Sequence, residues 1–204
     1  MTEEEARHWL RERFGEAGVA RMDVLAGLVA GEAVSQNLVA PSTLATMWSR
    51  HIVDSAQLIE LAADADGDWL DIGTGAGFPG LVIAALTDRA VTLVEPRRRR
   101  AAFLSEAAET LGIASQVTVI ASKVESVTMS AGVISARAVA ALALLFGSAI
   151  QCSRRKTLWI LPKGQSAREE IATAQQTWHG VFHVEHSITD PNSLIVLAKG
   201  VSRR

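Results

Sequence analysis

The clearest chemistry in the chain lies in an acid followed by a run of glycines, Asp71-Ile-Gly73-Thr-Gly75-Ala-Gly77-Phe78-Pro-Gly80. Trp69-Leu70 leads into the acid, and Leu81-Val-Ile-Ala-Ala-Leu86 follows the last glycine. That order predicts a strand, a tight turn and a helix. Glycine is required where the backbone takes a positive φ or where a ligand lies against bare main chain. The start of the following helix offers free N–H groups to polar or anionic atoms. The stretch is therefore a cofactor loop. Gly75-x-Gly77-x-x-Gly80 also satisfies the dinucleotide fingerprint, in which a pyrophosphate rests on the helix N-terminus. Asp71 weighs against a pyrophosphate, because its carboxylate repels phosphate and suits an ammonium or sulfonium group. Val91-Thr-Leu-Val-Glu95 brings a second acid roughly 20 residues on, the distance at which ribose hydroxyls are held in either cofactor class.

Asp-x-Gly-x-Gly-x-Gly resembles motif I of the class I S-adenosylmethionine (SAM) methyltransferases. On that basis Gly73, Gly75 and Gly77 line the methionine end of the cofactor, with Phe78 at the helix start. Asp71 either accepts from the cofactor's ammonium group or caps the helix start near Gly77–Phe78. Glu95 is the ribose clamp. A nicotinamide oxidoreductase using the same glycines is the competing enzyme class.

These residues need a scaffold, and strand and helix patterns alternate from Asp68 onward, as in a parallel sheet with crossover helices. Strands are expected at 68–73, 90–95, 116–120, 132–135 and 156–161, with helices near 78–87, 97–111, 138–150 and 166–178. Two further apolar runs, Val181–His186 and Leu194–Lys199, flank Asp190-Pro-Asn-Ser193 and read as a hairpin that leaves one antiparallel strand at the sheet edge. Residues 1–66 read as a helical extension and 67–204 as the cofactor-binding domain. Within the extension, Thr2-Glu-Glu-Glu5 has capping-box spacing, Gly15 and Gly18 break the first helix, and Ser42 is placed to cap a later one.

Composition narrows the classes. The chain has 204 residues, 49% hydrophobic and 21% charged, with a formal net charge of −2. No apolar run reaches the ~20 residues of a membrane span. The acidic start is unlike a secretory signal, and a lone Cys152 allows neither an internal disulfide nor a thiolate metal cluster. A cytoplasmic protein without a metal is expected. Net charge does not mark a general nucleic-acid coater, so any basic face must be local. Candidates are Arg97-Arg-Arg-Arg100 and Arg154-Arg-Lys156, each either a phosphate contact or a solvated face. Arg137 and Lys163 fall at strand ends, where open α/β sheets place their sites. His51 and Asp54 stand one helical turn apart, as a pair facing the cleft or as packing residues. His183 and His186 lack a third ligand.

Taken in order, several motifs match more than a superfamily. They are Asn37-Leu38, His51-Ile-Val-Asp54-Ser55, the glycine stretch to Gly80, Val94-Glu95 with Phe103-Leu104, Ser122-Lys-Val-Glu125, Ile134-Ser-Ala-Arg137-Ala138 and Leu161-Pro-Lys163-Gly164. Over residues 24–199 the chain resembles the RsmG (GidB) family, which methylates guanine N7 in small-subunit (16S) ribosomal RNA near the decoding site. The resemblance implies a Rossmann-like, seven-stranded class I fold with SAM as cofactor and ribosomal RNA or the small subunit as partner. It adds Val124 and Glu125 as adenine contacts, places Arg137 at the cofactor and substrate, and makes Lys163 and His51 substrate contacts. Ala136 separates Ser135 from Arg137 where the family has the two adjacent, and Arg137-Ala138 is expected to begin the next helix. Guanine N7 carries a lone pair and no proton, so no catalytic general base is expected. Other readings are methylation of another RNA, a protein or a small molecule, and a SAM- or RNA-binding module without chemistry.

Overall fold

The computed structural model describes residues 1–204. Seven strands form one sheet: β1 (Trp69–Ile72), β2 (Val91–Val94), β3 (Val117–Ile120), β4 (Val133–Ala136), β5 (Leu158–Lys163), β6 (Trp178–His186) and β7 (Leu194–Arg203), in spatial order β3-β2-β1-β4-β5-β7-β6. The first five are parallel. β7 is antiparallel to both β5 and β6. This corrects one expectation, since the antiparallel strand lies inside the sheet and β6 forms the edge. Asp190 makes the reversal, its carbonyl accepting from Ser193 N at 3.0 Å and its carboxylate from Asn192 N at 2.9 Å.

Alternation along the strands distributes the core over two faces. Trp69, Leu93 and Ile160 pack with the helices α1 (Glu3–Glu32), α2 (Asp54–Leu61), α3 (Gly80–Leu86) and α4 (Arg98–Thr110). Leu70, Ile134 and Trp159 pack with α5 (Leu142–Ala149) and α6 (Ala167–Ala174). The helices before β1 thus share the core of one sheet face and have none of their own.

Local chemistry explains the start and the kink of α1 but not the other helix starts, which carry no side-chain cap of their own. Thr2 and Glu5 form the expected capping box, with bonds of 3.2 and 2.7 Å. Gly15, at φ 67° and ψ −176°, kinks α1, while Gly18 stays helical and lies against Phe14 and Leu86. Ser42 caps nothing, because residues Pro41–Thr46 form a 3₁₀ turn whose start Ala40 carries no side-chain cap. A π-helical segment, Trp48–Val53, runs directly into α2. Its first N–H groups are satisfied from afar, Glu3 accepting from Trp48 N at 2.9 Å and Ser49 N at 2.8 Å. No helix is long and apolar enough to cross a membrane.

Candidate active site

The strand order reverses between β1 and β4, and open α/β sheets bind ligands at the carboxyl ends of strands at such a point. The glycine turn leaves β1 there. Gly73, Gly75 and Gly77 have φ of 68°, 59° and 101°, conformations that L side chains rarely adopt. A Cβ on Gly75 would meet nothing nearer than 3.8 Å, so the main chain at the turn's centre faces open space. A Cβ on Gly80 would come within 2.2 Å of Leu93 and 2.8 Å of the Asp71 carboxylate, so this glycine lets α3 sit directly on the strands.

Asp71 is held as a helix cap in this structure. Even indexing with Trp69 puts it under α3, where it is 0% exposed. Its Oδ2 accepts from Gly80 N at 3.0 Å and its Oδ1 from Ser135 Oγ at 2.7 Å, while Trp69 Nε1 donates to the same hydroxyl at 2.8 Å. It caps the start of α3 at Gly80, not at Gly77–Phe78, and both oxygens already hold hydrogen bonds. Burial pushes its carboxyl up to about 6, against the opposing pull of the Ser135, Thr74 and Gly80 donors.

Glu95 directly follows the last residue of β2, with 3% of its surface exposed. Its Oε2 accepts from Gly75 N at 3.1 Å and its Oε1 from Arg97 N at 2.9 Å. The carboxylate therefore ties the glycine turn to the start of α4. Val124 is buried at the start of a 3₁₀ turn after β3, and Glu125 beside it is exposed.

A cleft of about 580 Å³ is lined among others by His51, Asp54, Arg137, Lys163 and Glu170, while the glycine turn and Glu95 lie outside its lining. Arg137 leaves β4 but does not begin a helix. Residues 137–141 form a loop in which Ala138 takes φ 55°, and α5 starts only at Leu142. Val139 of this loop covers Gly73, so near that a Cβ on the glycine would reach it at 2.7 Å. His51 and Asp54 do not bond to each other; Arg137 links them. Its Nη1 donates to Asp54 Oδ2 at 3.2 Å and its Nη2 to His51 Nδ1 at 3.0 Å. His51 Nε2 then donates to Thr43 Oγ1 at 2.9 Å, which fixes the neutral tautomer. Burial first, then Arg137 and Arg50, lowers the imidazole to about 4. The ring stacks on Phe78 at 5.1 Å, and the Arg137 guanidinium lies 5.5 Å from the same ring.

Lys163 is the last residue of β5, its Nζ paired with Glu170 Oε2 at 2.9 Å and donating to the Ala140 carbonyl. It is 11% exposed, so its charge is engaged within the wall of the cleft. Glu170 also accepts from Leu142 N at 3.0 Å and so fastens the start of α5. Glu170 and Gly80 escaped the sequence reading as site-shaping residues, and that reading gives Asp54 only as a partner of His51. Of the first two, only Gly80 carried a signal, its helix-start spacing.

The two basic runs separate cleanly. Arg97–Arg100 follow β2 at the cofactor end of the sheet, and Arg100 Nη2 reaches the Asn37 carbonyl at 2.6 Å. Arg154–Lys156 precede β5 at the opposite end, where Arg154 lies against Gly67.

Comparison with known proteins adds the lineage. The family model described as GidB, rRNA small subunit methyltransferase G, matches residues 19–192. A protein of Novosphingobium aromaticivorans named ribosomal RNA small subunit methyltransferase G is 47% identical, over 98% of this chain and 89% of its own. A Zymomonas mobilis protein of the same name is 43% identical, over 97% and 94%. Among solved structures, an S-adenosyl-L-methionine-dependent methyltransferase of Methanococcus maripaludis aligns with a TM-score of 0.61 at 11% identity, covering 88% of this chain and 94% of that one. An O-methyltransferase of Bacillus cereus aligns with a TM-score of 0.59 at 14% identity, covering 87% and 90%. These structures share the class I fold.

Proposed function

The chain belongs to the ribosomal RNA small subunit methyltransferase G family, and from that premise we propose that it transfers a methyl group from SAM to N7 of a guanine in 16S ribosomal RNA. One observation supports placing the reaction: the glycine turn, Glu95, Arg137 and Lys163 all fall at the carboxyl ends of neighbouring parallel strands. The turn suits the cofactor, since its left-handed glycines leave bare main chain before open space and Glu95 holds Gly75 N with its carboxylate. A bound SAM supplies an electrophilic methyl on a cationic sulfur.

The chain's own residues bind and aim. Gly73, Gly75 and Gly77 admit the methionine end, Glu95 accepts from ribose hydroxyls, and Val124 and Glu125 flank the adenine. Asp71 shapes the turn through Gly80 and Ser135 and holds the ammonium end through that shape. Phe78, at the helix start and packed under His51 and Arg137, fixes the cofactor end of the turn and the two side chains over it, while the target base is extruded from its helix to reach the cleft. Arg137 receives RNA phosphate, and Lys163 does so once it leaves Glu170. Guanine N7 has no proton to lose, so alignment replaces acid–base work. Thr43, Arg50, His51 and Asp54 supply the N-terminal part of the cleft wall, and a ribosomal substrate assigns the chain to the cytoplasm.

The decisive test is chemical. N7-methylguanosine in small-subunit RNA is cleavable by reduction followed by aniline, and cells lacking this protein should lose one such cleavage. Labelled SAM incubated with free RNA, 30S particles and total protein should mark the RNA or the particle. Persistence of the cleavage, or label on protein alone, rejects the assignment.

A further inference from the structure

Resting on that assignment, we propose that Asp54 is a positioning residue for methyl transfer, acting through Arg137 by holding its guanidinium at the wall of the cleft. All the polar contacts of that guanidinium come from one short segment: Asp54 Oδ2 at 3.2 Å, the Arg50 carbonyl at 3.1 Å and His51 Nδ1 at 3.0 Å. Only Asp54 among them brings a charge. The two side chains are 19% and 16% exposed, and a charge-assisted contact withdrawn from bulk water constrains geometry more than a surface pair.

Asp54 is in turn held from a distant element. Its Oδ1 accepts from Ser187 Oγ at 3.3 Å and Thr189 Oγ1 at 3.2 Å, both in the connection between β6 and β7. Gln57 Nε2 adds a third donor at 3.0 Å. One carboxylate thus gathers the π-helical segment, the loop after β4 and the β6–β7 connection around the cleft. Its sign is the telling feature. A carboxylate in the wall of a cleft for a polyanion opposes binding by plain electrostatics. Its benefit must therefore lie in aiming the guanidinium, a group on a long stem that otherwise samples many rotamers.

The test is Asp54→Asn, with Ser187→Ala as a milder second variant that keeps the carboxylate but loosens it. With small-subunit RNA and SAM, Asp54→Asn should lower kcat by roughly tenfold or more, as misaligned reactants do. SAM affinity should not change, and RNA should bind as before or more tightly. Placed on an Arg137→Ala background, Asp54→Asn should add no further loss, because the effect runs through that arginine. Independently of turnover, the rate of phenylglyoxal modification at Arg137, read by peptide mass spectrometry, should rise in both variants. Unchanged kcat, an additive loss in the double variant, or unchanged Arg137 reactivity overturns the proposal. If wild-type protein transfers no methyl to RNA, the functional assignment fails, while the reactivity of Arg137 still decides whether Asp54 holds it.

Discussion

Glu95 and His51 carry the sharpest consequences of burial. Glu95 closes over the turn by accepting from Gly75 N and Arg97 N, and hydroxyl donors of a bound ribose compete for the same oxygens. Glu95→Ala should weaken SAM binding by roughly 1–3 kcal/mol, the cost of leaving donors unpaired in a buried site. Calorimetry showing an unchanged dissociation constant would remove the ribose role. His51 makes a statement about stability. Its imidazole falls from 6.5 to about 4 in the folded protein, so between those values the unfolded chain takes up a proton that the folded one refuses. Stability is complete above 6.5 and is lost as the pH falls. Asp71 works in the opposite direction: raised from 3.8 to about 6, it favours the folded state increasingly as pH falls through that range. Urea unfolding at pH 7 and at about pH 4.5 should therefore show a smaller acid loss for His51→Gln than for wild type. An equal loss in both proteins would mean that His51 is not the group responsible.

Among the elements, two glycines do different work. Gly15 sits at φ 67° and ψ −176° in α1, a region almost reserved for glycine, with open space where a Cβ would be. Gly15→Ala should cost about 1–3 kcal/mol and lower Tm by several degrees while leaving SAM affinity intact. Differential scanning calorimetry with a cofactor titration separates the two effects. Gly75 has φ 59° and likewise open surroundings, but its open side is the cofactor's. Gly75→Val places a β-branched residue in the left-handed region and a side chain in the ligand's space. It should leave a folded protein that no longer binds SAM, and a variant that melts normally and still binds would displace the cofactor from the turn.

At the scale of the molecule, the polarity of the parallel sheet decides which basic run lies at the cofactor end. Arg97–Arg100 share an end of the sheet with Glu95, Arg137 and Lys163, whereas Arg154–Lys156 lie at the other end. Arg98→Glu with Arg99→Glu should raise the KM for small-subunit RNA and flatten the salt dependence of binding, because fewer counterions are released. Arg154→Glu with Arg155→Glu should leave both near wild type. Equal effects from the two pairs in filter binding across a salt series would show that RNA wraps beyond the cofactor end. SAM binding should be indifferent to salt throughout.

Much of this protein was determined locally. Apolar runs closed by Asp71 and Glu95, glycines at every second position and alternating periods are short-range features, and they mark strands, turn and the alternation with helices without reference to the rest of the chain. Even the burial of Asp71 was legible in principle, since alternation puts it on the face of Trp69. What only the tertiary structure decided is who meets whom. Arg137 finds its partners at residues 50–54, and Asp54 finds its own at Ser187 and Thr189. Lys163 is turned inward by Glu170, and β7 enters the sheet between β5 and β6. The edge position of β6 and the late start of α5 at Leu142 belong to the same class. Such pairings depend on how helices dock and loops close across long separations, and no local period encodes that geometry.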